Sequence, residues 1–188
     1  MGPKMFRSIF QFLGSVVSGS APEEEPYPSV VLLLESPRIL SPESVVQIAV
    51  QALGEAEGIP TVARRPGRGS YLLRVSDILF GLRSGRSRYP GPGPETNQVR
   101  QRAWDRHRAW LAIEYPEGPK TPESEWPACY KLLLLMANQI WDDDCLALYI
   151  PREGVTVPNM GDLISSLRWA GRNGTPLPFL HEADASHG

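Results

Sequence analysis

The sequence predicts a single α+β domain in which helices pack on a mixed central β-sheet. Three near-continuous apolar runs, residues 30–34 (VVLLL), 109–113 (AWLAI) and 145–150 (CLALYI), have the character of strands covered on both faces. Each run adjoins a stretch with helical signals, which argues for a sheet with helices laid against it. A chain of 188 residues suffices for one sizeable core and is short for two.

The elements follow in order. Residues 18–28 (SGSAPEEEPYP) hold three prolines and three glutamates and read as a linker, so the domain begins near Ser29. Ser36-Pro37-Arg38 ends the first strand. Ser41 is placed to cap a helix over 42–53, with Pro42 at N1, Glu43 near the positive end of the dipole and Gly54 as the stop. Residues 61–65 and 71–75 read as a hairpin around Pro66-Gly67-Arg68-Gly69, toward a sheet edge, and 78–82 extend or follow its second strand. Residues 84–96 are rich in Gly and Pro and form a loop. A polar, arginine-rich helix spans 97–107. The stretch 126–141 is apolar nearly all round, the pattern of a deeply buried helix. A shorter helix capped by Asn159 is expected over 160–170, which closes a domain of 29–170; residues 171–188 read as a loose tail.

Ahead of the linker, residues 1–17 form an amphipathic segment. Phe6, Ile9, Phe10 and Leu13 share one helical face, suited to contact with a partner protein or a membrane surface through residues 5–17. A weak signal peptide is an alternative, since small residues follow, and packing on the chain's own domain is a third. No run approaches the roughly 18–20 apolar residues of a spanning helix. Cys129 and Cys145 each sit in apolar surroundings, which reads as buried thiols in a reducing, cytoplasmic compartment.

Charge is unevenly spread. Residues 64–108 hold eleven arginines against Asp77, Glu95 and Asp105, a local +8 inside a chain of net −2. Arg64, Arg65, Arg68, Arg83, Arg86 and Arg88, with Tyr71 and Tyr89, are the candidate binding residues, suited to phosphates or an acidic protein surface. The negative net charge, the scarcity of lysine and the absence of a nucleic-acid module weigh against nucleic acid.

Catalytic motifs are missing. The sequence contains no phosphate-binding GxxxxGK[ST] or GxGxxG, no GxSxG, no HExxH, no CxxC and no calcium loop, so no cofactor or metal is expected. Asp142, Asp143 and Asp144 are adjacent, and neighbouring side chains diverge, so they read as the turn between the buried helix and the third strand. Their charge opposes the helix dipole, which exposed arginines nearby would offset. Glu35 and Glu114 each close an apolar strand. Were those strands parallel neighbours, the two carboxylates would form an acid/base pair at one sheet end, with His107 as a further general base.

Two segments carry a family resemblance. HRAWLAIE at 107–114, followed by DDDCLALYIP at 142–151 and by Pro158-Asn159, resembles a group of small uncharacterised bacterial domains of unknown function. The resemblance spans residues 29–170 and implies a bacterial domain without any catalytic assignment. Together these features lead us to expect a non-enzymatic interaction or regulatory module that binds another protein. A small hydrolase using Glu35, His107 and Glu114, and an anion or nucleic-acid binder using the arginines, stay open as alternatives.

Overall fold

A computed structural model describes residues 28–54, 61–64 (backbone only), 69–75, 78–90, 95–115 and 122–159. Within them the chain is a single α+β domain. Its strands are β1 (Ser29–Leu34), β2 (Thr61–Arg64), β3 (Ser70–Val75), β4 (Ile78–Gly85), β5 (Ala109–Glu114), β6 (Cys145–Ile150) and β7 (Val155–Pro158). Helices α1 (Pro42–Leu53), α2 (Gln98–Arg106) and α3 (Trp126–Ile140) connect them. The amphipathic segment with Phe6, Ile9, Phe10 and Leu13, most of the linker, Arg65, Arg68, the helix expected over 160–170 and the tail lie outside the described residues.

The seven strands form one sheet in the order β2-β3-β4-β5-β1-β6-β7. Every pairing is antiparallel, where a mixed sheet was expected. The apolar runs report two covered faces, and strand direction leaves no mark on that pattern. β5 and β6 flank β1 and point the same way, with α3 crossing between them, so a parallel-style β-α-β unit is split by the antiparallel β1. The hairpin strands do lie at an edge.

Alternation along the strands fills two cores. Val30, Leu32, Leu34, Leu111 and Ile113 face the layer made by α1 and α3, where Leu133, Met136 and Ala137 of α3 are fully buried. Val31, Leu33, Ala112, Ala147 and Tyr149 face the other way, toward Trp104 and Ala103 of α2 and toward Tyr89. β1 is fully buried along its length because both faces are roofed. Three strand features escaped the periodicity. β4 runs to Gly85, into the stretch read as loop, and β7 is a four-residue edge strand ending in Pro158, which an edge tolerates. A register shift between Leu33 and Leu34 leaves Leu146 as an extra residue in β6, so Cys145 turns inward to the α1–α3 core.

Ser41 caps α1 as expected: its hydroxyl accepts from the Ser44 N–H at 3.1 Å, and the Ser44 hydroxyl lies 2.8 Å from the Ser41 N–H. Asn97 caps α2 through the N–H groups of Val99 and Arg100. Asn159 ties β7 to β6, its side-chain amide donating to the Cys145 carbonyl at 2.9 Å, and the helix it was expected to cap lies outside the described residues.

Candidate functional site: the charged end of the sheet

Antiparallel pairing decides the fate of the two strand-end glutamates. Ser29 lies opposite Glu114, whereas Glu35 follows Leu34, which lies opposite Ala109. Six strand positions separate their levels, about 20 Å at ~3.3 Å each. An acid/base pair, which works within about 10 Å, is therefore not formed by Glu35 and Glu114. Glu35 is exposed and holds Arg106 at 2.8 Å, while Glu114 is fully buried and pairs with Arg83.

The Arg83–Glu114 pair lies on the α2 side of the sheet, inside a tile made by β4 and β5. Gly81 and Gly85 stand opposite Glu114 and Trp110. A Cβ at Gly81 would come 3.1 Å from Glu114 Oε2, and one at Gly85 would overlap the Trp110 indole. The two glycines thus let the carboxylate and the indole lie across β4, on either side of Arg83, whose guanidinium is 5.9 Å from the Trp110 ring.

His107 is a structural junction. Nδ1–H donates to the Trp104 carbonyl at 2.7 Å, and Nε2 accepts the Tyr89 N–H at 3.0 Å. These partners define the neutral tautomer. Burial, and secondarily the nearby Arg88 charge, depress its pKa below the ordinary value, although bonds to backbone carbonyls act the other way. Both nitrogens are occupied by main-chain groups, and the imidazole packs edge-on against Trp104. Tyr89, expected at a binding surface, is buried against Trp110 and Tyr149. Tyr71 is likewise a core residue, its hydroxyl donating to the Leu40 carbonyl at 2.6 Å.

The aspartate turn is closed by β1's exit loop. Arg38 Nη1 donates to the Ile140 carbonyl at the end of α3, and Nη2 meets both Asp142 oxygens at 2.6 Å. One guanidinium therefore satisfies a helix-terminal carbonyl and neutralises the acid placed against the dipole. Asp144 accepts from the Ser36 hydroxyl at 2.9 Å, and Asp142 accepts the Asp144 N–H at 3.1 Å. Asp143 stands exposed at the apex. Burial pushes the Cys145 thiol up to about 11. Among the described residues no group of His, Cys, Asp and Glu could hold a metal ion, and no helix is long and apolar enough to cross a membrane.

What the fold gathers is charge. β4 ends where β5 begins, so exposed Arg86 and Arg88 lie beside exposed Arg106 and Arg108, with Arg88 donating to the Asp105 carbonyl at 2.5 Å. Arg102 is exposed one turn earlier on α2. β2 stops short of this end: Arg64 is opposite Tyr71, which is opposite Leu82 and so at the level of Ile113, near the other end of β5. In the loop leaving β1, Ile39 is 76% exposed, the most exposed large apolar side chain described. Of the expected binding arginines, Arg86 and Arg88 reach this surface, the register sets the backbone of Arg64 level with Ile113 and away from it, and Arg83 is taken by Glu114. Arg102, Arg106 and Arg108 were absent from that set because a sequence window does not say which sheet end a helix reaches. No protein-family model, curated protein or solved structure matches the chain.

Proposed function

We propose that the domain is a non-enzymatic interaction module that binds another protein through the charged end of its sheet. The observation that supports this is the gathering of exposed Arg86, Arg88, Arg106 and Arg108 at the sheet end where β1 leaves for the loop that carries exposed Ile39. Arginine offers a planar set of donors that matches carboxylates, and an exposed aliphatic side chain offers an apolar anchor, a combination suited to protein surfaces. The competing hydrolase would need its carboxylates together, and Glu35 and Glu114 stand at opposite strand ends.

We place its action in the reducing cytoplasm of a bacterial cell. The two free, buried thiols support that compartment, and the bacterial resemblance supports the source. The resembling segments are β5 and β6, the strands on either side of β1. The segment with Phe6, Ile9, Phe10 and Leu13 is a second proposed contact.

The test is affinity purification with mass spectrometry from native cells, comparing the wild-type chain with folded Arg86→Glu/Arg88→Glu/Arg108→Glu and with a chain beginning at Ser29. A partner retained by wild type and lost from the triple variant is the expected result. An identical protein set from wild type and triple variant, with the amount of co-purified untagged chain also unchanged, overturns the proposal. Retention on heparin that falls steeply with salt would favour a polyanion ligand instead.

A further inference from the structure

We infer that the partner fitting this surface is a second copy of the chain, in a two-fold dimer joined through the charged sheet ends; the inference rests on that end being a protein-binding surface. A two-fold interface uses the same patch twice and must be complementary to itself. A patch carrying arginine alone would repel its own copy. This end also carries acid, and the strand order sets the two signs apart on balance, although Arg38 pairs with Asp142 on the acidic side and Glu35 with Arg106 on the basic side. The ends of β4 and β5, on one side of β1, bear exposed Arg86, Arg88 and Arg108. The start of β6, on the other side of β1, bears Asp142, Asp143 and Asp144.

The balance fits a copy better than a strongly acidic surface. Arg38, Arg86, Arg88, Arg102, Arg106 and Arg108 stand against Glu35, Asp105, Asp142, Asp143 and Asp144, six charges against five, or +1. Two such ends do not repel as wholes, while the halves of each attract the opposite halves of the other. A highly acidic partner would meet the aspartates as well as the arginines. Bringing the β4–β5 side of one copy opposite the β6 side of the other sets Arg108 against Asp143, twice over. Ile39, in the loop that leaves β1 between these halves, supplies apolar contact that the isolated copy exposes.

Sedimentation velocity of the full chain over a range of concentration and salt tests this. The expected result is a monomer–dimer equilibrium that weakens as salt rises, since the contacts are between exposed charges. Asp143→Arg and Arg108→Glu, both at exposed positions and checked for folding by circular dichroism, should each weaken the dimer by roughly tenfold or more. An equimolar mixture of the two should restore association, because every reversed charge then meets its opposite. A monomer at all concentrations and salts, or a mixture that stays dissociated, overturns the second copy as partner. If the monomer still captures a protein in an Arg108-dependent way, the interaction reading survives alone; if it captures nothing, both fall.

Discussion

Arg38 and Asp142 meet across 104 positions of chain, with Nη2 at 2.6 Å from both carboxylate oxygens while Nη1 reaches the Ile140 carbonyl. A single side chain thereby finishes helix α3 and makes the acidic turn tolerable. Its side chain is 21% exposed and that of Asp142 54%, so solvent screens part of the attraction. Arg38→Ala should destabilise the fold by about 1–2 kcal/mol, chiefly from the orphaned carbonyl and uncompensated dipole. Asp142→Asn should cost less, since it leaves the carbonyl bond in place. Denaturant unfolding of both variants measures the order, and an equal cost would refute the carbonyl's share.

The Arg83–Glu114 pair should behave as a buried pair, with Glu114 wholly inaccessible and Arg83 18% exposed. Removing one partner strands the other charge, so Glu114→Ala should cost about 3–5 kcal/mol. Replacing both by apolar residues of similar volume should recover much of that loss. A double-mutant cycle by thermal unfolding reads the coupling.

Gly85→Ala should destabilise more than Gly81→Ala. The first substitution drives a methyl into the Trp110 indole, whereas the second meets a carboxylate oxygen at 3.1 Å that can shift by a few tenths of an ångström. Overpacking of this kind costs roughly 1–3 kcal/mol. Near-ultraviolet circular dichroism should register the displaced indole in Gly85→Ala alone.

His107 makes stability pH-dependent with a definite sign. Its folded pKa lies below the ordinary 6.5, so below that value the unfolded chain binds the proton more readily. Stability is then fully present above about 6.5 and falls as pH drops from there to the depressed folded pKa, by up to about 1.4 kcal/mol per pH unit. Protonated Nε2 would oppose the Tyr89 N–H donor. Unfolding free energy measured from pH 7.5 downward should decline, and His107→Gln should flatten this part of the curve. An unchanged slope in the variant would remove His107 as its source.

Cys145 should resist thiol reagents in the folded state. With its pKa near 11, roughly one thiol in 10⁴ is ionised at pH 7, and the side chain is buried. Ellman's reagent should react with it only on unfolding, and fast labelling of the native chain would contradict the burial.

The pattern of the sequence by itself determined the α+β class, the three central strands, the cap Ser41, and the aspartate turn. Each of these rests on interactions within a few residues, where period, cap chemistry and turn chemistry are written locally. It also placed the arginines in one stretch and the hairpin at an edge. Only the tertiary structure decided which residues share a sheet end. Antiparallel pairing parts Glu35 from Glu114, and the same pairing brings Arg86 and Arg88 beside Arg106 and Arg108. The burial of Tyr71 and Tyr89, the pairing of Arg83 with Glu114 and the reach of Arg38 to α3 depend on contacts between positions 18 to 104 residues apart. An apolar run states that a strand is covered on both faces. Strand direction and neighbour are settled only when the whole sheet closes its hydrogen bonds, and the charged sheet end is made of those two choices.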